Sequence, residues 1–295
     1  MLQGILLIIC LGILSGLIAI IMSNIASNKS SIYAFYFMGT GFTCILSWIL
    51  IVNWSNFLDN ITLVHYKKLF LFIGLAGGIN AIGQILLIVG MRNGYHGITW
   101  TIGQSSIIVP FIASTIIWQE YISLQKWLGM VCVFCAMFLM AQNKPGNERK
   151  HIQTMVVLSI LTMFVLGTAQ TLMGIPSHWA NWVDTARLRV PIFMTMNMLV
   201  HGTFVIIKKE RFNWTIAFSS LIWAISVLLL YFGFFHALDI MAKLQLTSVV
   251  FPISVGTSIV FFAIYNHFWR GEKYNKRTIV GILLLLIGIA VIACR

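Results

Sequence analysis

The sequence predicts an all-α polytopic membrane protein with ten transmembrane helices, arranged as two inverted five-helix repeats. Of its 295 residues, 59% are hydrophobic and 9% are charged, whereas a soluble domain carries about 25% charged residues. Ten windows hold the roughly 20 mainly apolar residues that a membrane-spanning helix needs, and one polar break separates the first five from the last five. These windows leave no room for a soluble domain, which excludes catalysis on a separate extramembrane module.

The predicted spans follow one another closely, and lysines and arginines are concentrated in the short loops between them. The first span has no positively charged start and is longer than the apolar stretch of a secretory signal, so we expect a retained helix rather than a cleaved peptide. In chain order, the spans cover residues 4–25, 31–52, 68–90, 97–118, 125–142, 152–175, 190–207, 215–237, 244–268 and 278–294.

The stretch NKPGNERKH, residues 143–151, is the most polar break inside the chain. It predicts a linker between an N-terminal five-helix repeat, residues 1–142, and a C-terminal five-helix repeat, residues 152–295. A half with an odd number of spans ends on the side opposite its start, so the second half enters the membrane from the other side. If two such halves share a fold, they form inverted repeats, an arrangement found in many transporters.

A shift of 152 positions aligns the ends of the two halves without a gap. It places QSSIIVPFIASTIIWQEYISLQKWLGM over GTSIVFFAIYNHFWRGEKYNKRTIVGI. Apolar spans agree by chance at Ile or Val, so the prediction of a repeat depends on the glutamate and the glycine at the same boundary. The matched pairs are Ser106 with Ser258, Ile107 with Ile259, Glu120 with Glu272 and Gly129 with Gly281.

The distribution of positive charge predicts the orientation. Of the 19 lysines and arginines, twelve fall on the side that holds the linker and seven on the other side. The positive-inside rule therefore places the linker in the cytoplasm and both termini outside, in a multi-pass protein of the cell (inner) membrane. The net charge of +12 follows from these loops, so we expect a lipid bilayer and no nucleic acid as the partner of the basic residues.

Polar side chains recur at helical spacing within the apolar spans, and the amides among them are the hardest to satisfy. Asn and Gln carry several donors and acceptors, and leaving these bare in hydrocarbon costs several kcal/mol. The amides must therefore face one another or a wet cavity between helices. We predict a central polar pocket in which Gln84 and Gln104 bind the solute. For Asn80, Gln170 and Asn197, a cavity role and a helix-packing role are both open.

Other polar and aromatic residues complete the predicted substrate-binding set. Trp100 and Tyr36 can stack on a solute, and Ser105 shares the helix face of Gln104. His201 either titrates near neutral pH or is a hydrogen-bonded contact between helices. The full predicted set is Gln84, Gln104, Trp100, Asn80, Tyr36, Gln170, Ser105 and His201.

Small residues and prolines predict close packing and bending. Gly12 and Gly16 favour close approach of a second helix over a binding role. Pro110 and Pro252 fall in the middle thirds of their predicted spans, where each removes a backbone hydrogen bond and permits a kink.

The positions of acids and cysteines exclude several other activities. No acidic residue lies in the middle of a span, whereas proton-coupled cation antiport uses a buried carboxylate. Glu120 and Glu272 are predicted to be boundary or capping charges. Cys132 and Cys135 form a C-x-x-C pattern within one span, without His or charge nearby, which favours a structural role over zinc or redox chemistry. The chain carries no catalytic motif, and we predict no cofactor and no metal.

Two segments resemble the ends of the two repeats in the drug/metabolite transporter superfamily, in its ten-helix EamA-like and sugar-uptake-like branch. These are GQSSIIVPFIASTIIWQEYISLQKWLGM and FPISVGTSIVFFAIYNHFWRGEKYNKRTIVGILLLLIGIAVI. The resemblance implies alternating access around a cavity lined by the first, third and fourth helices of each repeat, with the fifth helices at the periphery. The first-helix glutamate of the related small multidrug proteins has no counterpart here, because the first span has Ser15 and no acid.

Together these observations predict a secondary transporter, not an enzyme. Its solute is expected to be a small neutral or zwitterionic polar metabolite: a sugar, an amino acid, a nucleoside or a nucleobase. One alternative is an exporter of drugs or amphipathic compounds with the same fold. Another is a membrane subunit that does not transport, such as a lipid-handling partner. The chain is expected to act as a monomer or a homodimer.

Overall fold

A computed structural model describes residues 2–27, 31–55, 57, 64–92, 96–141, 149–180, 185–269 and 276–293. Every long regular element in these ranges is a helix, and each of the ten predicted windows contains one. The helices are α1 (Leu2–Ser27), α2 (Ile32–Leu50), α3 (Val64–Arg92), α4 (His96–Gln104 and Ile108–Ile117 around a 3₁₀ turn, Ser105–Ile107), α5 (Leu124–Ala141), α6 (Arg149–Gly174), α7 (Arg189–Lys208), α8 (Trp214–Lys243), α9 (Val250–Trp269) and α10 (Lys276–Ala293).

Eight of these helical segments are long and apolar enough to cross a membrane, counted over the described ranges. Shorter apolar helices occupy Leu124–Leu139 and Ile279–Ile292, which belong to α5 and α10. Large apolar side chains such as Ile116, Phe138 and Trp214 are exposed on the outside of the helix bundle. An aqueous solvent would not favour so many, so the chain is a helical, multi-pass membrane protein.

The structure changes the predicted course of two spans. The fourth span is interrupted by the 3₁₀ turn Ser105–Ile107, which lies just before Pro110. Because the proline ring clashes with the carbonyl four residues earlier, a regular α-helix is disfavoured at this point. The eighth span extends to Lys243 rather than ending at residue 237. The extra turns contain Asp239, whose charge is paired inside the protein and so does not end the helix.

Pro252 does not kink the middle of a span, contrary to the sequence prediction. Residues 244–249 are a turn followed by the 3₁₀ helix Thr247–Val249, and α9 begins at Val250. Pro252 thus lies in the first turn of α9, where a backbone N–H has no partner within the helix and its absence costs little.

The two halves of the chain interlock rather than lying side by side. Helix α1 packs on α8 and α9, and α6 packs on α3 and α4. Helix α2 packs on α7 and α8, α7 also packs on α3, and α5 packs on α10. Each of these contacts joins a helix of the first five to a helix of the last five. If each helix of the first half is exchanged with its counterpart in the second half, so that α1 becomes α6 and α6 becomes α1, the same set of contacts is obtained.

Glycines allow the closest approaches between the halves. A Cβ on Gly12 of α1 would lie 2.6 Å from the carbonyl oxygen of Ser254 in α9. The corresponding approach of α6 to α4 has Gly167, where a Cβ would lie 2.7 Å from the carbonyl oxygen of Ser106. Any larger residue would force these helices apart. Gly12 therefore serves helix packing, as the sequence predicts.

Candidate substrate-binding cavity

A cavity of about 100 Å³ lies where six helices meet. The helices are α1, α3, α4, α6, α8 and α9, which are the first, third and fourth of each half. No charged side chain is among the described residues that line it. The lining consists of Ser15, Ile18, Met22, Asn80, Gln84, Leu87, Trp100, Gln104, Leu166, Gln170, Met173, Trp223, Val227, Leu230, Tyr231, Phe234, Phe251 and Val255.

Five of the eight predicted site residues line this cavity. Asn80 and Gln84 are four residues apart on α3, and Trp100 and Gln104 are four apart on α4, so each pair shares one face of its helix. Gln170 of α6 completes the polar wall. The structure therefore brings the amides of three helices together around one space. This agrees with the prediction that they face a shared cavity rather than lipid.

Tyr36 and His201 lie behind the cavity wall rather than in it. The Tyr36 hydroxyl donates to the backbone carbonyl oxygen of Gln84 at 3.3 Å, and His201 Nε2 lies 3.3 Å from Gln84 Oε1. The two rings stack with centroids 4.8 Å apart. This geometry does not favour their predicted role as residues that contact the substrate directly. Both contact Gln84 instead: Tyr36 contacts the backbone carbonyl of Gln84, and His201 contacts its side-chain amide.

A second hydrogen-bonded group supports Asn80. Its Nδ2 donates to Asn197 Oδ1 at 3.2 Å, and the Tyr231 hydroxyl donates to its Oδ1 at 3.3 Å. Asn197 in turn donates to the backbone carbonyl oxygen of Phe193 at 3.0 Å. Asn80 thus combines the two roles that the sequence leaves open: it lines the cavity and also joins α3 to α7.

Ser105, which the sequence predicts as a substrate-binding residue, does not line this cavity. Its hydroxyl donates to the carbonyl oxygen of Thr101 and to Met137 Sδ of α5, both at 3.1 Å. The Ser105 side chain thus faces α5 rather than the cavity. The neighbouring Ser106 is the serine that reaches the polar wall, because its hydroxyl donates to Gln170 Oε1 at 3.2 Å.

The opposite wall is aromatic and aliphatic, and sequence reasoning missed it. Helix α8 contributes Trp223, Val227, Leu230 and Phe234 at steps of four, three and four residues, with Tyr231 beside them. This spacing is the stripe of one helix face. In a helix that is apolar all round, however, such a stripe cannot be told from the faces that contact lipid.

Several polar groups around the cavity have no partner. The indole N–H groups of Trp100 and Trp223 are buried without a hydrogen bond within the described residues. The side chain of Gln104 also makes no hydrogen bond to any described residue. Buried polar groups in native proteins are nearly always paired. An unpaired donor on a residue that lines a cavity is therefore a candidate contact for a solute.

One end of the helix bundle is closed by contacts between the halves; we call it the Glu120 end. The Glu120 carboxylate accepts from the backbone N–H groups of Thr247 (3.1 Å) and Ser248 (3.0 Å), and from the Thr247 hydroxyl. It thereby caps the 3₁₀ turn that precedes α9, the kind of role the sequence predicts for this acid. Beside it, the rings of Trp118 and His178 stack with centroids 4.3 Å apart.

A buried ion pair lies near the same end and was not expected from the sequence. Arg189, which the positive-inside count treats as a loop residue, is fully buried, and its Nη1 lies 2.5 Å from Asp239 Oδ1. Nη1 also donates to Ser177 Oγ at 3.0 Å, and Nη2 donates to the carbonyl oxygen of Pro176 at 3.4 Å. The pair therefore joins the start of α7, the end of α8 and the segment after α6.

Comparison with known proteins gives information on the fold but not on the function. No protein family model matches the sequence, and no curated protein matches it. Sixteen chains of solved structures match. One of them, described only as "Crystal structure of protein", superimposes with a TM-score of 0.67 over 99% of this chain and 97% of its own, at 9% sequence identity. At that identity the likeness concerns the fold alone.

Proposed function

We propose that this protein is a secondary transporter of the inner membrane, which moves a small polar metabolite by alternating access. The observation that carries the proposal is the cavity in which amides from α3, α4 and α6 converge with Trp100. Amides without hydrogen-bond partners would be costly at bilayer depth. A hydrated path for a solute explains why several of them surround one space. The chain then acts as a carrier with ten spans, not as an enzyme.

The packing of the halves supports an inverted repeat. An exchange of helices between the halves preserves the set of contacts described above, as a two-fold axis relating the halves requires. With five spans each, such halves have opposite orientations in the membrane. Inverted repeats with a site at their interface are the common basis of alternating access, because each half can adopt the conformation of the other.

The contacts at the Glu120 end support the proposal that the carrier is closed on this side. Its contacts join α4 of the first half to α9 and to the end of α6 in the second half. A path from the cavity to the solvent at this end would require these contacts to separate. They involve a few hydrogen bonds and one ring stack, which is a small barrier for a rigid-body motion.

An exporter of amphipathic compounds is the second candidate, and the aromatic wall formed by α8 and α9 favours it. The uncharged lining argues against organic cations as its substrates, since a buried cation needs a counter-charge. The third reading, a subunit that does not transport, gives no reason for unpaired polar groups around a cavity.

Cysteine accessibility tests the proposal without knowledge of the solute. In a variant lacking the five native cysteines, Ser15→Cys places a thiol of similar size in the cavity lining. We expect a membrane-impermeant thiol reagent to label it in right-side-out and in inside-out vesicles, because the cavity opens alternately to each side. Ser220→Cys is the matched control, because Ser220 is fully buried, donates to the carbonyl oxygen of Phe35 and lies outside the lining, so it should not react. Absence of Ser15→Cys labelling from both sides would contradict transport.

Closure at the Glu120 end gives a second expected result. In the same background, Trp118→Cys with His178→Cys places two thiols where the stacked rings now meet. Joining them by a short thiol cross-linker should abolish Ser15→Cys labelling from that side and preserve labelling from the other. A reducible cross-linker should make the loss reversible. Unchanged labelling from both sides after complete cross-linking would show that this end is not the gate.

A further inference from the structure

We infer that the solute is an uncharged, flat ring that carries carbonyl oxygens, such as a pyrimidine base. The inference rests on the proposed transport function and narrows its substrate class. It follows from three properties of the cavity: two walls of different chemistry, an excess of free hydrogen-bond donors, and a small uncharged interior.

The two walls recognise different parts of a solute. The polar wall presents amides from Asn80, Gln84, Gln104 and Gln170, whereas the wall from α8 and α9 presents mainly aromatic and aliphatic surface. A sugar carries hydroxyl groups around its whole ring and would leave several of them against the apolar wall without partners. A planar heterocycle has a polar edge and an apolar face, so it satisfies both walls at once.

The free polar groups are mainly donors. The indole N–H groups of Trp100 and Trp223 can only donate, and both lack a partner within the described part of the chain. Gln170 already accepts from Ser106 through Oε1, so its amide nitrogen is left to donate. Gln104 offers one acceptor and one amide nitrogen. A solute that supplies carbonyl oxygens would pair these donors, and the Gln104 oxygen can accept one ring N–H.

Charge and size narrow the class further. An amino acid would bring an ammonium and a carboxylate into a space whose described lining contains no charged residue, and unpaired charges at this depth are costly. The volume of about 100 Å³ is well below the roughly 300 Å³ at which pockets for drug-sized ligands begin. A single small ring fits this space better than a nucleoside or a larger amphipathic compound.

Protection of Ser15→Cys from the thiol reagent measures solute binding to the same cavity. The probes are uracil, D-glucose and L-alanine, which represent the flat carbonyl-bearing ring, the sugar and the zwitterion. We expect uracil to slow labelling in a saturable way and the other two to have little effect. Trp100→Phe and Trp223→Phe keep an aromatic ring but remove the N–H, so each should weaken protection by uracil about threefold to tenfold.

Trp127→Phe is the matched control, since Trp127 is a partly exposed residue of α5 outside the lining, and it should leave protection unchanged. Stronger protection by alanine or glucose than by uracil would overturn the inferred class while transport still stands. Equal protection by uracil in the Trp100→Phe and Trp223→Phe variants would overturn the donor argument. A Ser15→Cys thiol that never reacts, with or without probes, counts against transport itself.

Discussion

Replacing Asp239 by alanine is expected to lower the free energy of unfolding by about 3–5 kcal/mol, because it removes one partner of a buried ion pair. Arg189 is fully buried and has Asp239 as its ion-pair partner within the described residues. The guanidinium also donates to neutral oxygens: Ser177 Oγ, the carbonyl oxygen of Pro176 and Thr185 Oγ1. None of these three oxygens carries a charge.

The location of the pair makes the effect global rather than local. Arg189 begins α7, Asp239 lies in the last turns of α8, and Ser177 follows α6. Three segments of the second half therefore depend on one charged contact. Loss of the carboxylate would favour separation of these segments, so that water can reach the guanidinium.

Unfolding of the detergent-purified protein, followed by tryptophan fluorescence in urea, measures this change. Arg189→Met should be similarly destabilised, since it leaves the carboxylate alone. The double variant Arg189→Met with Asp239→Leu should lose less than either single variant, because it removes both charges of the pair together. Lys208→Ala, at the exposed end of α7, is the control and should change the unfolding free energy by less than about 0.5 kcal/mol. Asp239→Ala with a similarly small effect would refute the structural role.

Periodicity and composition were sufficient to predict the helices and the polar wall. Amides at a spacing of four, as in Asn80 with Gln84, can be read from the sequence because their burial in lipid is costly whatever the fold. Predicting the cavity required one further inference, namely that the polar faces of different helices converge. That step follows from the same cost, since each amide needs a partner from outside its own helix.

Features that depend on the partner helix could not be read from the sequence. Arg189 and Asp239 are 50 positions apart, and nothing in either segment indicates their pairing. Ser105 was misplaced because its hydroxyl contacts Met137 of α5, a partner that helical spacing does not specify. The position of Pro252 depends on where α9 begins, and the apolar run gives no boundary before it. In each case, tertiary contacts decide between local alternatives.

Replacing both Gln84 and Gln104 by leucine is expected to reduce transport about 100-fold while the protein stays folded. Each amide lost to the solute removes a hydrogen bond worth about 1–1.5 kcal/mol, and the two losses add to roughly two factors of ten. Leucine is close to glutamine in volume, so the helices need not move apart. The backbone carbonyl of Gln84 that accepts from Tyr36 is kept in the variant.

Uptake of labelled uracil, glucose and alanine into proteoliposomes measures the effect on transport. Gln125→Leu provides the matched substitution, because Gln125 of α5 donates to the carbonyl oxygen of Val291 at 3.3 Å and lies outside the cavity lining. It should transport like the unmodified protein. A double variant that melts at the normal temperature and retains full uptake would show that the amides bind other helices and not the solute. Loss of both folding and uptake would instead assign Gln84 and Gln104 to packing, since Gln84 also contacts His201.

The single variant Gln104→Leu separates these explanations, because Gln104 makes no hydrogen bond to any other described side chain. Loss of transport in Gln104→Leu with an unchanged melting temperature would therefore assign Gln104 to the cavity.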